Sequence, residues 1–78
     1  MPKVKIYTTS TCGYCFMAKD FLNKNNIEFE AVDVGLDQTA RQEMMDRSGQ
    51  MGVPVLDIDG NIIIGFDKPA IVKALGLS

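Results

Sequence analysis

Apolar and polar residues alternate with a period of two at the start of the chain. One parity holds Val4, Ile6 and Thr8, and the other holds Lys5 and Tyr7. This period is typical of a strand, and most of these residues favour β structure. We therefore predict a first strand of about five residues that ends just before the two cysteines.

The period becomes helical from Cys15 onward. Apolar residues fall at positions 18, 21 and 22 and polar residues at 19, 20 and 23, as in a helix with one buried side. Asn25 and Asn26 should end this helix, because asparagine favours turns and helix ends. From Ile27 to Val34, apolar residues first alternate with glutamates and then occupy both parities, which predicts a second strand buried on both faces.

A second helix is predicted after Gly35. Asp37 can cap its first turn, and the helix should end near Ser48 and Gly49. Its apolar side consists of Ala40 and Met44, with Met45 and Met51 as further candidates.

The last third of the chain predicts a hairpin and a third helix. Two apolar runs flank Asp-Gly-Asn at positions 59–61, which is a strong hairpin signal. Asp67 followed by Pro69 marks a helix start, because proline lacks an N–H that the first turn does not need. Gly76 suits the end of this helix. Its buried side consists of Ile71, Val72 and Leu75.

The predicted element order is β-α-β-α-β-β-α, in a single domain over residues 1–78. The first two strands would be a parallel crossover pair, and the last two an antiparallel hairpin. With right-handed crossovers, this order gives an α/β fold with a four-stranded mixed sheet and helices on both faces.

Composition excludes several classes of function. Eight lysines and arginines stand against ten aspartates and glutamates, a net charge of -2, so the chain has no surface suited to nucleic acid. No apolar run approaches the length needed to cross a bilayer, and the N-terminus lacks a secretory leader pattern. We expect a soluble, cytoplasmic protein with no nucleic-acid or membrane partner.

Cys12 and Cys15 are separated by two residues at the predicted junction of strand and helix. In a reducing compartment such a pair is more often catalytic or metal-binding than structural. The unpaired N–H groups and the positive end of the helix can stabilise a Cys12 thiolate, which makes Cys12 the attacking group. Cys15 lies one turn later on the same side and can resolve a mixed disulfide, and its apolar neighbours should raise its pKa.

Two other interpretations of the cysteine pair remain open. Free cysteines often pack in protein cores. A zinc site normally needs four ligands, and this chain has no histidine and no second cysteine pair. A metal site would therefore require a second subunit or an added small thiol, and we predict no metal ligands within the chain itself.

Val53 and Pro54 stand just before the third predicted strand. A cis bond between them would turn the Val53 N–H and C=O outward, where they could pair with an extended thiol peptide. A trans proline at the first position of a strand is the ordinary alternative.

Three segments in this order, KIYTTSTCGYC, GVPV and GFDKP, resemble the glutaredoxin family of the thioredoxin-fold superfamily. The resemblance covers nearly the whole chain. It implies a thioredoxin fold and a thiol–disulfide oxidoreductase that reduces protein disulfides or glutathione mixed disulfides through Cys12 and Cys15. It also implies that Pro54 is cis beside the active site and that the Val53 backbone grips the substrate.

The resemblance further implies contacts with glutathione, as a co-substrate and not as a tightly bound cofactor. Tyr14 would line the entrance, and Asp67 would cap the last helix and help to hold the amino end of glutathione. Thr9 stands where glutaredoxins usually have a lysine or arginine that pairs with a glutathione carboxylate. Arg41 is the remaining candidate for that pairing.

The electron donor and one alternative function stay open. The GFDKP segment resembles the corresponding segment of NrdH-redoxins, glutaredoxin-like proteins that are reduced by thioredoxin reductase. Glutathione and thioredoxin reductase are therefore both candidate donors. Some relatives without a proline at the place of Gly13 bridge a [2Fe–2S] cluster in a dimer, so a glutathione-assisted cluster carrier is the alternative; otherwise we expect a monomer.

Overall fold

The protein is described here by a computed structural model covering residues 3–77. Four strands and three helices follow one another in the predicted order. They are β1 (Val4–Thr8), α1 (Gly13–Lys24), β2 (Glu30–Asp33), α2 (Gln38–Ser48), β3 (Val55–Ile58), β4 (Asn61–Ile64) and α3 (Lys68–Leu75). Within residues 3–77, no helix has both the length and the apolar character needed to cross a membrane.

The strands form one mixed sheet in the order β2-β1-β3-β4. β1 is parallel to β2 and antiparallel to β3, and β3 and β4 form the predicted hairpin. β1 therefore lies inside the sheet, and the loop that follows it, with Cys12, leaves from the sheet interior and leads into α1, where Cys15 lies.

The core has one cluster on each face of the sheet, which confirms helices on both faces. Val4 and Ile6 pack on the side of α1 and α3, together with Leu22 and Ile71. Tyr7 packs on the other side with α2. Both parities of β1 are thus buried, because a central strand is covered by helices on either side.

The prediction for the second strand is wrong in its bounds and in its burial. β2 begins at Glu30, and Glu30 and Ala31 are exposed. The strand lies at the edge of the sheet, so part of its surface faces solvent, whatever its apolar pattern suggests. Ile27 and Phe29 precede the strand and pack at the margin of the core.

The helix ends and the hairpin turn agree closely with the sequence. The Asp37 carboxylate accepts a hydrogen bond from the Ala40 N–H at 3.0 Å, and Gly49 ends α2 at a φ of 74°. Gly60, at a φ of 91°, completes a two-residue turn with Asp59, so Asn61 already belongs to β4. Met51 was a candidate for the buried side of α2, but it lies beyond the helix and is 50% exposed.

Candidate active site

Cys12 lies between β1 and α1 and is the N-cap residue of α1. Its sulfur accepts a hydrogen bond from the Cys15 N–H at 3.2 Å, and its carbonyl accepts one from the Phe16 N–H at 3.2 Å. The Cys12 side chain is partly exposed. A negative charge on this sulfur would therefore meet a donor of the first helical turn while remaining accessible to a substrate.

Cys15 is fully buried one turn further along α1. Burial raises the pKa of the Cys15 thiol above its ordinary value, and the hydrogen bond with Cys12 raises it further, while a hydrogen bond with the Thr8 hydroxyl acts in the opposite direction. The buried thiol is thus held protonated beside the exposed one, as the apolar neighbours of Cys15 predicted.

Val53 and Pro54 meet the cysteines from the other side. The bond between them is cis, as the family resemblance implied. The Cys12 thiol donates to the Val53 carbonyl at 3.7 Å, so this carbonyl faces the Cys12 sulfur. Within residues 3–77, the Val53 N–H has no hydrogen-bond partner. Pro54 is buried, and its carbonyl accepts from the Gly65 N–H at 2.8 Å, which joins the turn before α3 to the site.

The three residues expected to contact glutathione lie on the surface. Tyr14 is 66% exposed between the cysteines. Arg41 is exposed on α2 and lines a surface cleft with Met51; it makes no salt bridge within the part of the chain described. Asp67 caps α3 by accepting from the Ala70 N–H at 3.3 Å, which confirms its capping role.

Two residues near the site were missed by the sequence reasoning. Thr8 is buried at the end of β1, on the parity of Ile6, and its position at the buried end of a strand could have indicated a polar role there. Gln50 binds the backbone of Gly52 through its side-chain amide. No periodic pattern marks Gln50, because it lies in an irregular loop.

A separate polar network joins α2 to the sheet. Glu43 accepts from the Lys5 ammonium at 3.0 Å and from the Tyr7 hydroxyl at 2.5 Å. Its pKa is lowered by the Tyr7 hydrogen bond first and by Lys5 second. Arg47 forms an ion pair with Asp57 of β3, and its Nε lies 3.8 Å from the Glu43 Oε1. This network includes neither cysteine and joins α2 to β1 and β3.

Comparisons with known proteins identify the fold and the family of the chain. A thioredoxin-like protein of known crystal structure superposes on the chain with a TM-score of 0.92 at 29% identity, over 100% of both chains. The four-stranded mixed sheet with three helices is therefore a thioredoxin-like fold. The family model for glutaredoxin matches residues 4–63, and the chain belongs to the glutaredoxin family.

Two relatives agree with that assignment. A glutaredoxin-like protein from the rubredoxin operon of Clostridium pasteurianum is 49% identical over 72 residues, covering 92% of this chain and 96% of the relative. Glutaredoxin 3 of Escherichia coli (strain K12) is 37% identical over 76 residues, covering 97% of this chain and 92% of the relative. The family as a whole indicates a thiol–disulfide oxidoreductase that acts on disulfide or glutathione substrates.

The iron–sulfur alternative gains no support from these observations. Among residues 3–77, no three histidine, cysteine, aspartate or glutamate side chains are grouped so that they could hold a metal ion, so a cluster would still need ligands from outside this chain. The matched relatives described above are named as glutaredoxins or as glutaredoxin-like.

Proposed function

We propose that the chain reduces protein disulfides or glutathione mixed disulfides with Cys12 as the nucleophile and Cys15 as the resolving thiol. The observation that supports these roles is the contrast between the two sulfurs. Cys12 is accessible and accepts an N–H from the first helical turn, whereas Cys15 is buried and its pKa is raised by burial. The thiolate is the attacking species in disulfide exchange.

The proposed reaction has two exchange steps. The Cys12 thiolate attacks one substrate sulfur, the substrate S–S bond breaks, and the other sulfur leaves as a thiolate that takes a proton from water. Cys15 then loses its proton to solvent and attacks the Cys12 sulfur. A Cys12–Cys15 disulfide forms and the second substrate sulfur leaves as a thiol, so two electrons pass from the cysteine pair to the substrate.

The Val53 backbone is the proposed substrate contact. Its N–H lacks a partner within the part of the chain described and its carbonyl faces the Cys12 sulfur. An extended segment beside the substrate cysteine could pair with both groups in the manner of an added strand. Tyr14, Arg41 and Asp67 are proposed as further contacts for glutathione.

A turnover assay with two donors tests the proposal and identifies the donor. We expect insulin or a glutathione mixed disulfide to be reduced with glutathione plus its reductase, or with thioredoxin reductase. Cys12→Ser should abolish turnover, and Cys15→Ser should accumulate a mixed disulfide detectable by mass spectrometry. If neither donor supports turnover and Cys12→Ser behaves as the unmodified protein does, the oxidoreductase proposal fails. A reducing compartment such as the cytoplasm fits this role, since the pair must return to the dithiol form.

A further inference from the structure

The loop between α2 and Val53 is held by one side chain that folds back on the backbone. The Gln50 amide nitrogen donates to the Gly52 carbonyl at 2.9 Å, and the Gln50 amide oxygen accepts from the Gly52 N–H at 2.6 Å. The Gln50 side chain thus satisfies both backbone groups of Gly52, as a neighbouring strand would.

The base of this loop is tied to α2 by Ser48. The Ser48 hydroxyl donates to the Met44 carbonyl at 2.6 Å and accepts from the Gln50 N–H at 3.4 Å. Gln50 therefore starts from a fixed point at the end of the helix, and its side chain carries that constraint to Gly52.

The constraint on Gly52 extends to Val53 through the peptide bond. A trans peptide unit is planar, so its C=O and the N–H of the next residue point in opposite directions. When Gln50 holds the Gly52 carbonyl, it also sets the direction of the Val53 N–H, which has no partner within residues 3–77.

Gly52 is the residue type that this arrangement requires. A Cβ at position 52 would lie 2.7 Å from the Gln50 amide oxygen, which is closer than real Cβ contacts allow. The φ of Gly52 is outside the left-handed region, so an alanine could adopt the backbone conformation itself. Its methyl group would instead displace the Gln50 amide.

We propose that Gln50 is a positioning residue that orients the Val53 N–H for pairing with the backbone of a peptide substrate. The proposal rests on the proposed function, because it assumes that Cys12 attacks a disulfide next to Val53. Gln50 touches no reacting sulfur, so its effect should appear only with substrates that carry peptide groups.

Two probes with the same leaving group separate this role from chemistry at sulfur. One is a cysteine-containing peptide activated as its pyridyl disulfide, and the other is the pyridyl disulfide of mercaptoethanol, which has no peptide group. In each case the Cys12 thiolate forms a bond to the aliphatic sulfur, the S–S bond breaks, and pyridinethione leaves with its absorbance as the signal. Reduced protein and excess probe give a single-turnover rate.

We expect Gln50→Ala to lower the rate with the peptide probe about fivefold, the effect of about one lost hydrogen bond, and to leave the mercaptoethanol probe within about twofold. Gln50→Glu keeps an acceptor for the Gly52 N–H but loses the donor to the Gly52 carbonyl, so it should show the same selective loss. Gln42→Ala is the matched control, since Gln42 is an exposed glutamine on α2 that bonds Asp46. It should change neither rate.

Gly52→Ala supplies an independent test in a double-mutant cycle. Alone, it should reproduce the selective loss, because its methyl group expels the Gln50 amide. Combined with Gln50→Ala it should add little, since the contact is already absent.

The outcomes distinguish the two levels of the proposal. If the unmodified protein and Cys12→Ser react alike with both probes, the proposed function itself fails. If the reaction needs Cys12 but Gln50→Ala slows both probes equally or neither, the positioning role is overturned. Fully additive effects of Gln50→Ala and Gly52→Ala would also overturn it.

Discussion

The two cysteines have opposite surroundings although they are three positions apart. Cys12 caps α1 and is accessible, and Cys15 is enclosed by the core with its pKa raised by burial. α1 produces this difference, because Cys12 stands at its start, whereas Cys15 belongs to its buried side together with Ala18 and Leu22. The proposed division between an attacking and a resolving thiol therefore rests on the positions of the two sulfurs.

The raised pKa of Cys15 predicts that the reduced protein loses stability in alkali. The unfolded thiol ionises near its ordinary value of 9.0, whereas the folded thiol stays protonated to higher pH. The contribution of the Cys15 thiol to the unfolding free energy is therefore fully present below pH 9.0. It is lost as the pH rises through the folded pKa, with a slope of at most about 1.4 kcal/mol per pH unit for one group. Urea unfolding between neutral pH and pH 10 measures this loss.

Two controls identify the group responsible. Cys15→Ala should flatten the decline near pH 9.0, as should oxidation of the pair, which removes both thiols. The pKa of Tyr7 is also raised, by burial first, so a further loss should remain at higher pH in Cys15→Ala. A decline near pH 9.0 that is unchanged in Cys15→Ala would contradict the assignment to Cys15.

At the scale of elements, α2 differs from the other helices in how it is attached. The buried residues of α2 are Ala40 and Met44. Its hold on the sheet depends in addition on Glu43, which accepts from Lys5 and Tyr7 of β1. Because α2 leads into the loop that carries Val53, its attachment supports the site.

This attachment should weaken in acid. The pKa of Glu43 is lowered, chiefly by the Tyr7 hydrogen bond, so its contribution to stability is present above its ordinary value of 4.5 and is lost as the pH falls through the folded pKa. Glu43→Gln should reduce the dependence of the unfolding free energy on pH between about 5 and 3. Glu28→Gln, in an exposed position outside the network, is the control and should leave the dependence unchanged.

The start of α3 allows capping to be separated from charge. Asp67→Ala should cost about 1 kcal/mol in unfolding free energy, because the Ala70 N–H loses its acceptor. Asp67→Asn should retain most of that stability, since asparagine is an equally good cap. If the carboxylate also holds the amino group of glutathione, Asp67→Asn should raise KM for a glutathione mixed disulfide while the melting temperature stays nearly unchanged. An unchanged KM would leave capping as its role.

For the molecule as a whole, the central position of β1 connects stability to function. The two clusters of the core lie on its two faces, and its last residue leads directly into the active-site loop. A chain of 78 residues has little stability to spare. Defects in the core should therefore reduce the population of competent sites.

Leu22→Ala tests the contribution of the core to stability, on which this connection depends. The side chain is fully buried on α1, and its truncation should cost about 2–5 kcal/mol, a large part of a total that is roughly 5–15 kcal/mol for a domain. Leu36→Ala is the matched control because Leu36 is 87% exposed. Chemical denaturation should show a lower midpoint for Leu22→Ala and an unchanged midpoint for Leu36→Ala.

Most of the helices and strands, and the cysteine pair of the candidate site, could be predicted from the sequence. The caps at Asp37 and Asp67, the turn at Gly60 and the spacing of Cys12 and Cys15 act within a few residues, so the sequence alone determined them. Such features depend on hydrogen bonds and conformational preferences that are local to the chain.

Only the tertiary structure decided which strands lie inside the sheet and what surrounds each sulfur. The apolar pattern of β2 could not reveal that it lies at an edge, because pairing between strands depends on residues far apart in sequence. The approach of Val53 to Cys12 also joins residues far apart in sequence: the family resemblance implied it, but no local pattern of the chain did. The hydrogen bonds between the Gln50 amide and Gly52 join residues that are close in sequence. They could still be identified only from the structure, because hydrogen bonds in irregular loops follow no sequence period.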